Sequence, residues 1–122
     1  MPVVFASSDS GTLMLGITKY SLLSSQNPDT YYDIYVLEDQ MTEQHKAKVR
    51  AAVEGFECGL QFIGIHDLLS QKIIQHDSRR VPPTAYSRLF LTSLLPDEKR
   101  VLYLDIDLLI CKDLKELYLQ DL

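Results

Sequence analysis

The sequence predicts an α/β protein built on an open, doubly wound and mostly parallel β-sheet. Four short apolar runs alternate with helical patterns, and polar or charged residues close each run. This alternation is typical of a parallel sheet whose two faces are both covered by helices. The 122 residues correspond to one domain or to part of one.

The apolar runs predict the strands, at residues 3–6, 34–37, 60–65 and 101–104. Between them, apolar residues three and four positions apart predict a first helix from Leu13 to about Ser24. Thr42 is a suitable N-cap for a second helix that extends to about Glu54. Residues 68–81 are ambiguous and suggest a short helix and a loop. Pro82 and Pro83 introduce a helix over 85–95, and one more helical turn is expected over 114–119.

Right-handed crossovers predict the strand order 3-2-1-4 if the fourth strand returns to the other side of strand one. In such sheets a ligand binds beyond the carboxyl ends of the strands, where the order reverses. That point lies between strands one and four. The polar residues expected there are Ser7, Ser8, Asp9, Asp105 and Asp107.

Charge and composition exclude several classes of function. Twelve Lys and Arg against 17 Asp and Glu give a net charge of −5, the wrong balance for a general nucleic-acid binder or for contact with anionic membranes. No apolar run approaches the ~20 residues of a membrane span. Cys58 and Cys111 form neither a CxxC pair nor a zinc-site spacing, and two cysteines so far apart do not suggest a disulfide scaffold. We therefore expect a reducing compartment, the cytoplasm.

Asp105 and Asp107 interrupt an otherwise apolar stretch from residue 101 to 110. In an extended chain, residues two apart point to the same face, about 6.6 Å from each other. Two carboxylates at that distance repel by roughly 2.5 kcal/mol at an effective dielectric near 20, and a divalent cation removes this repulsion. The pair therefore predicts either an Mg²⁺ or Mn²⁺ site or two solvated carboxylates at a strand-to-turn corner.

Other polar residues have simpler interpretations. Asp9 or Ser10 is suited to cap the first helix, and we favour capping over ligand binding there. The loop lacks GxGxxG, so a conventional dinucleotide site is not supported. Arg88 lies among apolar helical residues and needs an anionic partner, either a ligand or a carboxylate. His45 is expected to be solvated.

Four segments together resemble glycosyltransferase family 8: VVFASSDS at residues 3–10, YSLL at 20–23, TAYSRLFL at 84–91 and KRVLYLDIDLLI at 99–110. The combination of YSRL with VLYLDIDLL is specific, whereas DxD alone is not. The resemblance implies a Rossmann-like GT-A fold and a retaining, metal-dependent hexosyltransferase. Such an enzyme moves a sugar from a UDP-hexose to an acceptor hydroxyl, here of an unknown glycan or lipid-linked molecule.

The resemblance also implies roles for individual residues. Asp105 and Asp107 would bind Mn²⁺ (or Mg²⁺) and, through it, the diphosphate, with Ile106 between them in the donor site. The positions that hold the uridine are Ala6, Ser8, Ser10 and Gly11. Arg88 matches an arginine that reaches the diphosphate-sugar. No residue is assigned to catalysis on the sugar.

Two departures from the family pattern matter. Ser8 replaces an acidic residue that binds the base in the family pattern, and Gly11 replaces an aromatic residue whose ring stacks on the base. Both replacements predict weak binding of the base. Residues 1–122 are expected to be the N-terminal, donor-binding part of one GT-A domain. The acceptor region and a third metal ligand, a histidine, would lie beyond Leu122, and the strand over 101–104 would leave an unpaired edge.

Two alternatives remain open. The chain could be a non-catalytic or degenerate nucleotide- and metal-binding module, as the changes at Ser8 and Gly11 favour. It could also resemble a haloacid dehalogenase-type phosphatase, whose DxD begins with a nucleophilic aspartate. That motif normally opens its domain and has Thr or Val two positions after the second Asp, where this chain has Leu109. The phosphatase alternative is therefore the weaker one.

Overall fold

The computed structural model describes residues 1–66 and 91–120. Within them, four strands form one parallel sheet: β1 (Pro2–Ser8), β2 (Tyr32–Asp39), β3 (Cys58–Gly64) and β4 (Leu102–Leu104). Their order is β3-β2-β1-β4 and every described pairing is parallel. The predicted open sheet and its 3-2-1-4 order are confirmed.

The described helices flank this sheet. A 3₁₀ turn (Asp9–Gly11) leads into α1 (Thr12–Ser24), and α2 (Glu43–Ala51) follows β2. Two short helices, α3 (Leu91–Leu94) and α4 (Lys115–Tyr118), lie before and after β4. The Thr42 side chain caps α2 by accepting from the His45 amide, as predicted. The predicted segment 68–81 and most of the helix over 85–95 lie outside the described residues.

Helix α2 ends earlier than the sequence predicts. It stops at Ala51 rather than near Glu54, and turns lead to Gly55, whose φ of +88° lies in the left-handed region. Such a backbone conformation favours glycine, which has no Cβ to clash. The chain therefore leaves the helix before it turns toward β3.

The central strands β1 and β2 are buried on both faces, whereas β3 and β4 are half-buried. Side chains alternate along each strand, so successive residues pack on opposite faces of the sheet. Val3 and Phe5 of β1 pack with Leu15 and Leu22 of α1 on one face. Val4, between them in the sequence, packs on the other face with residues that include Leu37, Ile65 and Leu95. Burial on both faces explains why the strands read as continuous apolar runs rather than alternating ones.

Candidate donor-binding site

The two aspartates lie at the edge of the sheet where the strand order reverses. Leu104, the last residue of β4, pairs with Phe5 of β1, so Asp105 follows β4 beside the carboxyl end of β1. This placement confirms the expected position of the DxD segment in the sheet. The expected extended geometry is wrong, because the strand ends at Leu104 and a turn contains Ile106 and Asp107.

Both aspartate side chains lie open to the solvent. Asp105 and Asp107 are exposed, and within residues 1–66 and 91–120 neither carboxylate has a hydrogen-bond or ion-pair partner. Carboxylate oxygens are the hard donors that Mg²⁺ and Mn²⁺ prefer, so the pair fits such an ion. The described residues contain no cluster of three or more His, Cys, Asp and Glu side chains.

The end of β1 and the turn that follows it carry three serine hydroxyl groups. The Oγ atoms of Ser8 and Ser10 lie 3.0 Å apart, and the Ser7 hydroxyl donates to the Ser8 carbonyl over 2.8 Å. Ala6 and Ser8 are half-buried and Ser10 is exposed. The sheet thus brings Ala6, Ser8 and Ser10 to the same edge as Asp105.

Asp9 has a different role from the predicted one. Its carboxylate does not cap α1, because Oδ1 accepts from the Thr42 amide over 2.9 Å and lies 2.7 Å from His45 Nδ1. The Thr42 amide and then His45 lower the pKa of Asp9. The expectation that His45 is solvated is also wrong, since its ring pairs with this carboxylate. Asp9 therefore ties the loop after β1 to the start of α2.

Gly11 brings this loop into close contact with the DxD segment. A Cβ atom placed on Gly11 would lie 2.7 Å from Ile106 Cδ1 and 2.8 Å from Ser7 Oγ. Carbon atoms in contact prefer about 3.5–4.0 Å, so any side chain here would require its neighbours to move. Gly11 is buried rather than open to a ligand. Its contribution to the site is this close approach to Ile106.

Three hydroxyl side chains, two from α1 and one from the residue directly after it, hold the backbone that carries the aspartates. Thr18 donates toward the carbonyls of both Ile106 and Leu108, the second over 2.8 Å. Ser21 accepts from the Ile110 amide over 2.8 Å, and Ser25 donates to the Ile110 carbonyl over 3.0 Å. We refer to Thr18, Ser21 and Ser25 as the hydroxyl stripe. Sequence reasoning missed it, although its three- and four-residue spacing on a predicted helix was a usable signal.

Asp113 anchors the far end of the same segment. It accepts from four donors at 3.0–3.1 Å: the amides of Asn27 and Lys115 and the hydroxyls of Thr30 and Tyr32. Burial acts to raise the pKa of Asp113, but these donors together lower it. Asp113 thus attaches the segment after β4 to the turn between α1 and β2 and to the first residue of β2.

An open groove of about 750 Å³ lies between α1 and α2. Its lining includes Leu13, Ile17 and Tyr20 of α1, which are all exposed, and Val49 of α2. Asp9, Ser10 and His45 line it as well, so it adjoins the loop after β1. Arg88, the remaining predicted site residue, lies outside the described residues. No described helix is long and apolar enough to cross a membrane.

Comparison with known proteins identifies the family. The sequence matches Glycosyl transferase family 8 over residues 2–122, so the chain belongs to that family. General stress protein A of Bacillus subtilis (strain 168) is 23% identical over 120 residues, which are 97% of this chain and 41% of that protein. The expected family and the GT-A-like α/β fold are confirmed.

Solved structures agree with this assignment. A crystal structure of an active-site mutant of LgtC has a TM-score of 0.83 and 30% identity, and covers 99% of this chain and 42% of its own. Galactosyltransferase LgtC in complex with donor and acceptor sugar analogs has a TM-score of 0.78 and 29% identity. GlyE of Streptococcus pneumoniae TIGR4, at 22% identity and a TM-score of 0.69, shares the fold. The chain spans 41–43% of the length of General stress protein A and the two LgtC chains.

Proposed function

We propose that this chain is the nucleotide-sugar-binding part of a retaining hexosyltransferase that uses a UDP-hexose and Mn²⁺ or Mg²⁺. The observation that carries the proposal is the position of Asp105 and Asp107, which stand exposed where the strand order of a family 8 chain reverses. The description of LgtC with donor and acceptor sugar analogs supports a sugar donor by analogy. The acceptor would be a glycan or a lipid-linked molecule.

In this proposal each group has a limited role. Asp105 and Asp107 hold the metal, which supplies Lewis-acid stabilisation of the departing nucleoside diphosphate. Ala6, Ser8 and Ser10 contact the nucleoside, and Gly11 keeps their loop against Ile106. Arg88 reaches the diphosphate-sugar. We place the reaction in the cytoplasm, on the basis of two cysteines that are free thiols in the structure.

Calorimetry with UDP tests the proposal. We expect weak binding that requires Mn²⁺ and is lost in EDTA, because the carboxylates contact the diphosphate only through the metal. Asp105→Asn and Asp107→Asn should each lower the Mn²⁺-dependent affinity at least tenfold. Asp97→Asn is the matched control, since Asp97 is an exposed aspartate that precedes β4 rather than following it. Equal UDP affinity with Mn²⁺ and with EDTA would contradict the proposal.

One observation favours a second candidate, a nucleotide-binding module without transferase activity. Gly11 is buried against Ile106, so no ring can stand at this position to stack on a base while these neighbours keep their places. Transfer and hydrolysis assays with UDP-glucose and UDP-galactose separate the two functions. Metal-dependent UDP binding without turnover, in the longest natural form of the protein, would favour the module.

A further inference from the structure

The DxD segment depends on α1 for its shape. β4 ends at Leu104, and the described residues from Asp105 to Lys112 form no regular strand or helix. Backbone carbonyl and amide groups that leave a sheet need other partners when they are not solvated. In this segment the hydroxyl stripe supplies partners for Ile106, Leu108 and Ile110.

Thr18 is the member of the hydroxyl stripe that contacts the backbone on either side of Asp107. Its single hydroxyl lies between the carbonyls of Ile106 and Leu108, the residues immediately before and after Asp107. Thr18 is 1% exposed, so water cannot easily take its place. The hydroxyl thereby holds the peptide group directly before the Asp107 Cα atom and the peptide group that follows Leu108. Two fixed points on either side of Asp107 restrict the direction in which its carboxylate leaves the backbone.

We propose that Thr18 is a positioning residue that sets the geometry of the Asp105 and Asp107 carboxylates for a small divalent cation. The inference rests on the proposed function, since it concerns the same metal site. Small ions such as Mg²⁺ demand near-ideal octahedral geometry at 2.0–2.1 Å, whereas Ca²⁺ accepts longer and less regular coordination. A carboxylate whose backbone is no longer held should therefore lose affinity for small ions more than for Ca²⁺.

The test compares Mn²⁺, Mg²⁺ and Ca²⁺ binding, each in the presence of UDP, by calorimetry on the full 122-residue chain. Thr18→Val keeps the branched shape of the side chain and removes the hydroxyl. We expect it to lower Mn²⁺ affinity at least fivefold and to reduce the preference for Mn²⁺ over Ca²⁺. Thr18→Ser keeps the hydroxyl and should stay within twofold of the wild type.

Thr30→Val is the matched control for loss of stability alone. Thr30 is 5% exposed and donates to Asp113 over 3.0 Å, so its replacement also removes a buried hydroxyl. The lost contact, however, lies at Asp113 and not at the backbone next to Asp107. It should leave metal preference unchanged. If Thr18→Val does not fold, Ser21→Ala removes the acceptor for the Ile110 amide and a donor to the Thr18 carbonyl within α1, but keeps the Thr18 hydroxyl, and should cause a smaller change in the same direction.

Three results would overturn the inference. If Asp107→Asn loses Mn²⁺ binding while Thr18→Val keeps wild-type affinity and preference, positioning by Thr18 is wrong and the proposed function stands. If Thr18→Val and Thr30→Val lose Mn²⁺ affinity to the same extent, Thr18 contributes only to the stability of the fold. Absence of Mn²⁺ binding by the wild type would overturn the inference and the proposed function together.

Discussion

Lys19 places a fully buried ammonium group between α1 and α2. Its side chain is 0% exposed, and Nζ donates to the Val49 carbonyl over 2.6 Å. Burial lowers the pKa of Lys19 from 10.5 to about 8. A shift of this size means that the native state disfavours the charged amine by about 3 kcal/mol relative to the unfolded chain.

Lys19→Met should therefore stabilise the protein at pH 7. The change removes the burial of a charge, a gain of about 3 kcal/mol. It also removes the hydrogen bond to Val49 and leaves that carbonyl without this donor, a loss of about 1–2 kcal/mol. The free energy of unfolding should rise by about 1–2 kcal/mol.

The gain should vanish at high pH. Between pH 8 and pH 10.5 the unfolded wild type holds a proton on Lys19 that the native state has released, so wild-type stability rises with pH across this window. The methionine variant lacks this group and does not share the rise. Its advantage of about 1–2 kcal/mol should disappear within this window, and by pH 10.5 the variant should be less stable than the wild type by about 1–2 kcal/mol.

Urea denaturation from pH 7 to pH 10.5 measures both effects, and far-UV circular dichroism is a suitable probe because the chain has no tryptophan. The control is Lys48→Met, the same substitution at an exposed lysine of α2. It should follow the wild-type pH dependence. If the stabilities of wild type and Lys19→Met stay parallel over this range, the buried ammonium is not the cause.

Two further predictions concern the contacts that hold the site together. Asp113→Ala should lower the free energy of unfolding by about 2–3 kcal/mol, measured by urea denaturation, because four donors lose their acceptor; a change under 0.5 kcal/mol would contradict the anchor. Gly11→Ala should cost about 1–2 kcal/mol in the same assay. Its cost should fall by half or more when Ile106→Val has first removed Cδ1, and equal costs in the two backgrounds would disprove that contact.

The sheet could be predicted from the sequence because its central strands are buried on both faces and its outer strands are also apolar runs. Runs such as residues 34–37 contain only apolar or aromatic side chains, and each is closed by polar residues at the carboxyl end. Strand order then follows from chirality and from one choice, the side of β1 on which β4 lies. The position of Asp105 in the sheet follows from that order.

Contacts between distant segments could not be predicted in the same way. Asp9 was suited to cap the helix beside it, yet its partners are Thr42 and His45, more than 30 residues along the chain. Local sequence favours the nearer role because capping needs only neighbouring residues. The contact of the Asp9 carboxylate depends on where α2 packs, and a local sequence pattern cannot predict that packing.

Helix α1 shows why periodicity identified the helix without identifying its buried side. The apolar residues whose spacing predicts it include Leu13, Ile17 and Tyr20, and these are exposed along the groove. On the buried side, Leu15 and Leu22 share the interior with polar Thr18, Lys19 and Ser21. Buried polar groups are unfavourable unless they have hydrogen-bond partners.

Here those partners come largely from the segment after β4. Thr18 and Ser21 bond to peptide groups that have left the sheet and no longer pair with a neighbouring strand. The buried hydroxyl groups of α1 and the irregular backbone around Asp107 thus provide hydrogen-bond partners for each other. A helix with a purely apolar inner face would pack on the sheet equally well, but it could not hold the two aspartates in a fixed arrangement beyond the end of β4.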